Sequence, residues 1–170
     1  VMLVAYAIAG HETSMNTLAH LLWQLAARHD LQRALRDDPG LVPAAVEETL
    51  RLWTPVDHGT RVTTRPVVLS GVEIPAGAGV VLLTGAANRD PEVFPDPDTF
   101  RLDRGANRHL TFGHGIHFCL GAHLARAEFT QVLRELLRHP VFTLTAEPTR
   151  SYENGRHVCL DRLPVRLAAD

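Results

Sequence analysis

The sequence lacks most features that would assign it to a special class. It has only two cysteines in 170 residues, at positions 119 and 159. That excludes a disulfide framework and fits a reducing, cytoplasmic location. No basic run occurs, and a formal net charge of −2 leaves no electrostatic footprint for nucleic acid or a membrane surface. The apolar opening, Val1 to Ala9, is too short to span a bilayer. No basic segment precedes it and no small-residue cleavage site follows. Internal repeats and low-complexity segments are absent. What is left is globular, 45% hydrophobic and 21% charged, within the size of one ordinary domain.

Hydrophobic spacing then divides the chain. Residues 1–28 read as one long helix with a polar interruption at Gly10-His-Glu-Thr-Ser14, and Leu18, Leu21, Leu22 and Leu25 continue a core-facing stripe. The run Val1 to Ala9 is expected to be buried on all sides, which makes it look like an element whose beginning and packing partners are missing. A short amphipathic helix is expected over 31–36. Another is expected over about 43–53, opened by Pro43 and ending before Pro55. From 61 to 83 short strands and turns take over, with a turn at Ser70-Gly71. Residues 88–108 are too polar and proline-rich for a core, and an irregular stretch of that length usually serves a function or wraps a surface. Strand-like segments at 141–145, 157–160 and 164–167, with a turn around Asn154-Gly155, close the chain.

Three constellations carry chemistry. The first is Phe112-Gly-His-Gly-Ile-His-Phe-Cys119-Leu-Gly121. It runs into a helix whose apolar stripe is Phe129, Val132, Leu133, Leu136 and Leu137. A thiol there faces unpaired N–H groups and the positive end of the helix dipole, which favour the metal-binding thiolate. Glycines at 113, 115 and 121 allow sharp turns and close approach to a flat partner. A plain buried cysteine is the ordinary alternative. A zinc site made of His114, His117, Cys119 and His123 is another, although structural zinc sites usually draw ligands from two separated pairs.

The second constellation is Gly10-His11-Glu12-Thr13, an acid beside an alcohol in an apolar helix. Thr13 can bond back to a carbonyl one turn earlier, and the same competition opens a groove in which the pair could relay protons. The third is Glu48-Thr-Leu-Arg51, a pair on one helix face that, taken alone, reads as an ordinary solvated bridge.

Together, in this order, the three resemble the cytochrome P-450 family of haem-thiolate monooxygenases. That family carries Ala/Gly-Gly-x-Asp/Glu-Thr, then Glu-x-x-Arg, then Phe-x-x-Gly-x-x-x-Cys-x-Gly. The spelling around Cys119, and the ending Leu163-Pro-Val-Arg-Leu167, are similar to its soluble bacterial branch. The resemblance covers essentially the whole chain. It implies a mainly α fold with a small β portion, residues 1–170 being the C-terminal part of a single domain whose N-terminal part is absent. It implies haem b, with Cys119 as axial ligand of the iron. His117 and Arg61 would hold propionates. Phe112 and Gly113 would lie at the proximal face, with Gly121 beyond the ligand. Ala9 and Gly10 would leave room over the iron, and Glu12 and Thr13 would manage protons. Glu48 and Arg51 become a buried ion pair fastening their helix to the irregular segment. Pro55, Val56, Asp57 and His58, with the turn from Gly155 to Cys159, would line a pocket for a small organic substrate. Asp57 and His58 make that lining polar.

The implied reaction uses O2 and electrons from NAD(P)H, delivered through a ferredoxin or similar partner. Arg104, Arg108 and Arg126 are candidate docking charges for that partner, or else solvated arginines. In one place the sequence departs from the family. Pro97-Asp98-Thr99-Phe100 stands where an arginine often completes the buried ion network, so that partner is either absent or supplied by another arginine nearby. The competing classes are a catalytically dead haem-binding remnant and a zinc-stabilised interaction domain.

Overall fold

The structure, a computed structural model, describes residues 2–153 and 157–167. Helix α1 spans Met2–Ala27 without a break. Its two halves differ in surroundings. The second half buries Asn16, Thr17, His20, Leu21, Gln24, Leu25 and Ala26. The first half is exposed, with Leu3 at 84%. The run expected to be buried on all sides is therefore uncovered, because none of the described elements closes over it.

After α1 the chain turns into α2 (His29–Asp37) and, through a 3-10 turn at Pro39–Leu41, into α3 (Val42–Leu52). Asp38 steers that turn by accepting from the Gly40 N–H at 2.9 Å. Pro43 sits in the first turn of α3, where a missing N–H costs nothing. Gln32 is fully buried on α2. Its amide nitrogen donates to the carbonyls of Leu25 and Phe142, both at 2.7 Å, tying the end of α1 to a strand more than a hundred residues on.

Four strands follow: β1 (Gly59–Val62), β2 (Val67–Leu69), β3 (Val72–Ile74) and β4 (Gly79–Leu82). β2 and β3 form an antiparallel hairpin closed by Leu69 opposite Val72. Ser70 and Gly71 both have positive φ, 49° and 81°, as the preferred two-residue hairpin turn requires. β1 pairs with β4 around the outside of that hairpin, with Arg61 opposite Val80. The one-turn helix α4 (Thr84–Ala87) leads into the irregular segment, and a 3-10 turn at Gly115–His117 precedes α5 (Ala122–Leu136).

The chain then runs through β5 (Phe142–Leu144), β6 (Thr149–Glu153), β7 (His157–Arg162) and β8 (Val165–Leu167). β5 pairs with β8, and β6 with β7, both antiparallel. The turn expected at Asn154-Gly155 lies outside the described residues.

One core joins the helices. Leu21, Leu25, Leu31, Leu35, Val42, Val46, Leu50, Phe129, Leu133 and Phe142 bring together α1, α2, α3, α5 and β5. At its edge His20 stacks on Trp53, ring centroids 6.1 Å apart and 16° between planes, while Trp23 meets Trp53 edge-on at 5.8 Å. This core sets α3 against α5 and so holds the segment between them, residues 53–121, in place.

Candidate active site

The loop before α5 is folded by its own backbone. The Cys119 N–H donates to the Phe112 carbonyl at 2.7 Å, Gly113 N–H to Leu110 at 2.8 Å and Phe118 N–H to Gly115 at 3.0 Å. Gly113 has φ +72°, and a Cβ there would lie 2.9 Å from the His117 carbonyl oxygen. Only glycine meets both demands. Gly115 also has positive φ, 62°. Gly121 is different: its φ is −85°, and an added Cβ would make only ordinary contact, 3.9 Å from Cys119 Sγ. The closed loop holds Cys119 two residues ahead of Gly121, the N-cap of α5, with its side chain exposed. Ile116, Leu120 and Leu124 around it are apolar and 98%, 81% and 73% exposed.

Behind the loop lies an ion network. Glu48 and Arg51 on α3 are both buried and joined by two hydrogen bonds of 2.8 Å. The same guanidinium donates to the carbonyls of Asn88, Pro97 and Thr99 at 2.8, 2.6 and 3.4 Å. The helix is thereby fastened to the irregular segment. Glu48 also accepts from Arg104 Nε at 2.6 Å, Arg101 N–H at 3.0 Å and Asn107 Nδ2 at 3.1 Å. Arg104 is thus the third ionic partner that the sequence lacks at 97–100. Burial opposes ionisation of Glu48, but the hydrogen bonds from Arg51 and Arg104 outweigh it and hold its pKa below the ordinary value.

Two of the candidate docking charges are paired within the chain. Arg104 is 6% exposed and committed to Glu48, and Arg126 makes a two-point bond to Glu47 at 2.7 and 2.9 Å. Arg108 stays exposed.

On α1, Thr13 Oγ1 donates to the Ala9 carbonyl at 2.7 Å, the back-bond its position suggests. Glu12 is half-buried beside it, and nothing lies within 4 Å of the place a Gly10 Cβ would occupy.

Comparison with known proteins decides the family. Residues 40–166 match the family model described as Cytochrome P450. The chain belongs to the cytochrome P-450 family. It is 46% identical over 166 residues to cytochrome P450 107B1 of Saccharopolyspora erythraea, covering 95% of this chain and 41% of that protein. It is 44% identical over 163 residues to the monooxygenase PikC of Streptomyces venezuelae, covering 94% and 39%. The solved structure of P450BioI, in complex with hexadec-9Z-enoic acid ligated acyl carrier protein, superposes with a TM-score of 0.88. It shares 40% identity and covers 95% of this chain and 42% of that one. The chain spans about two fifths of the length of these curated relatives.

Haem is the cofactor of the P-450 family, and the donor set here fits it. A bare metal ion needs several protein ligands. Among the described residues no three His, Cys, Asp or Glu side chains converge. His114, His117, Cys119 and His123 are thus not brought together as a set of ligands. A single soft thiol among exposed apolar side chains would suit instead an iron held within an organic cofactor, which needs few ligands from the protein.

His117 is exposed on the same loop, and Phe112 is half-buried. Arg61 is exposed on β1 and donates to the Thr60 carbonyl at 2.8 Å. Pro55 is buried, while Val56, Asp57 and His58 are half-buried. Asp57 and His58 bond to each other at 2.6 Å. Their turn is pinned by Gly85 N–H on the Asp57 carbonyl at 2.8 Å and Thr84 Oγ1 on the Val56 carbonyl at 3.0 Å. The turn from Gly155 to Cys159, assigned to the same pocket, falls largely outside the described residues. Sequence reasoning missed Glu47 and His109, and read Arg126 only as a docking charge or a solvated arginine. Their only signal was an acid immediately before Glu48.

Proposed function

We propose that this chain carries the thiolate side of a monooxygenase that places one atom of O2 into a small organic substrate. The other atom leaves as water, with two protons and two electrons. The electrons come from NAD(P)H through a ferredoxin-type partner. The observation that carries this reading is Cys119, presented by a glycine-closed loop at an exposed apolar surface. Haem bound there through a thiolate supplies reductive activation of dioxygen.

The remaining roles belong to the chain. Cys119 Sγ is the ligand. His117 and Arg61 hold propionates by charge-assisted hydrogen bonds, and the exposure of both supports this. Thr13 donates its hydroxyl hydrogen bond to the Ala9 carbonyl, so its oxygen acts toward oxygen chemistry as an acceptor. Glu12 is the proton source beside it, and Ala9 and Gly10 keep the space clear. Asp57 and His58 give the substrate site a polar rim for substrates with polar groups. The enzyme works in the cytoplasm, consistent with a sequence that holds only two cysteines, far apart. Among the described residues no helix is long and apolar enough to cross a membrane.

The test is oxygen accounting in the full-length enzyme with isotopically heavy O2. One labelled atom should appear in product, and Thr13→Ala should retain haem while diverting reduced oxygen to peroxide. Unlabelled product, or unchanged product per NAD(P)H in Thr13→Ala, would contradict the assignment.

A further inference from the structure

Phe112 lies at the centre of a clamp. Its carbonyl accepts the Cys119 N–H at 2.7 Å, so wherever Phe112 goes the ligand loop follows. Its ring is covered by the Arg126 guanidinium, 4.4 Å from the ring centre, a close cation–π contact. The guanidinium cannot slide, because both oxygens of Glu47 hold it, at 2.7 and 2.9 Å. Glu47 is in turn fixed by His109, whose Nε2 lies 3.1 Å from Glu47 Oε2. The His109 ring is buried, and its Nδ1 accepts from the Thr111 N–H at 3.3 Å, which leaves Nε2 as the donor to Glu47. His109 also borders Phe112, ring centres 5.9 Å apart, and the Phe118 ring lies 6.5 Å from it. Three separate parts of the chain meet here: Glu47 on α3, Arg126 on α5, and His109 on the strand-free segment leading into the loop.

We infer that Glu47, His109 and Arg126 are positioning residues for Cys119, a clamp on the Phe112 ring that sets the height and direction of the thiol. The inference rests on the reading of Cys119 as the haem ligand. The clamp does not touch the reacting atoms. It acts through one aromatic ring and one backbone hydrogen bond, and it uses the planar fork of arginine, which lysine cannot reproduce.

The experiment has a haem-free arm and a haem-loaded arm. In the haem-free chain, amide hydrogen exchange is followed over residues 112–121. Arg126→Met, which keeps the stem and removes the fork, should speed exchange at Cys119 by at least about tenfold while amides near Leu25 and Leu50 keep their protection. Glu47→Gln, a milder change, should give a smaller effect in the same place. In the haem-loaded protein, reduced and exposed to carbon monoxide, Arg126→Met should convert part of the red-shifted thiolate band to an unshifted one, and Arg126→Lys should not fully restore it. Unchanged exchange at Cys119 in both variants would overturn the clamp. So would loss of protection spread evenly over the chain in the mild Glu47→Gln. If the parent protein itself lacks a red-shifted band, the ligand reading fails; a band that Arg126→Met leaves untouched overturns only the clamp.

Discussion

Arg51 shows how closely this structure accounts for a buried charge. Its guanidinium has five N–H donors. They find five acceptors, two on Glu48 and one each on Asn88, Pro97 and Thr99. Removing one side of such a pair strands the other in the interior, at about 3–5 kcal/mol. Arg51→Ala should therefore consume a large share of the ~5–15 kcal/mol typical of a domain. A urea titration of the variant checks this, and an unmoved midpoint would show that the network is dispensable.

Two other residues contribute to the response to acid. Burial lowers the pKa of His20 below its ordinary 6.5, against the hydrogen bond to the Asn16 carbonyl that favours its protonation. The unfolded chain thus binds that proton at a pH where the folded chain does not, so stability falls as pH drops below about 6.5. Burial opposes ionisation of Glu47 too, but the bonds from His109 and Arg126 prevail and hold its pKa at about 2, against an ordinary 4.5. That stabilisation, on the order of 2–3 kcal/mol, is present above pH ~4.5 and fades as pH falls toward ~2. Thermal midpoints across acid pH should show two successive declines, and His20→Gln should remove the upper one. A single decline in the parent would contradict this.

At the scale of elements, what the sequence reveals depends on how local the cause is. Helices α2 and α3 follow directly from spacing and from Pro43, and the β2–β3 hairpin from Ser70-Gly71, because a few neighbouring residues determine each. The strand β1 closes only by meeting β4 some twenty residues later. β6 is polar, Thr149-Arg-Ser-Tyr-Glu153, and has no alternating apolar pattern, so only its pairing with β7 makes it a strand. The fold of the loop before α5 was legible because Gly113 and the Cys119 backbone answer to short-range geometry. The arginines were not. Whether Arg104 or Arg126 faces solvent or a carboxylate depends on α3, more than fifty residues away in sequence.

Over the whole molecule the apolar surface is uneven. Met2, Leu3, Val4, Tyr6 and Ile8 on α1, and Ile116, Leu120 and Leu124 around Cys119, are all more than half exposed. Contiguous exposed apolar surface marks a place for a partner or ligand. The chain studied alone should bind a hydrophobic dye strongly, and haem should displace part of that dye. Dye binding indifferent to haem would mean that these surfaces do not receive it. The chain's cations are uniform: all seventeen are arginine, with no lysine. Arginine's fork suits the fixed pairing seen around Glu47 and Glu48.

The central claim is that Cys119 is the haem ligand, and one measurement addresses it most directly. The protein is loaded with haem, reduced, and exposed to carbon monoxide, and its visible spectrum is recorded for the parent, Cys119→Ala and Cys159→Ala. The account predicts a strongly red-shifted thiolate band in the parent, its retention in Cys159→Ala and its complete loss in Cys119→Ala. A band that survives in Cys119→Ala, or disappears with Cys159, would contradict it.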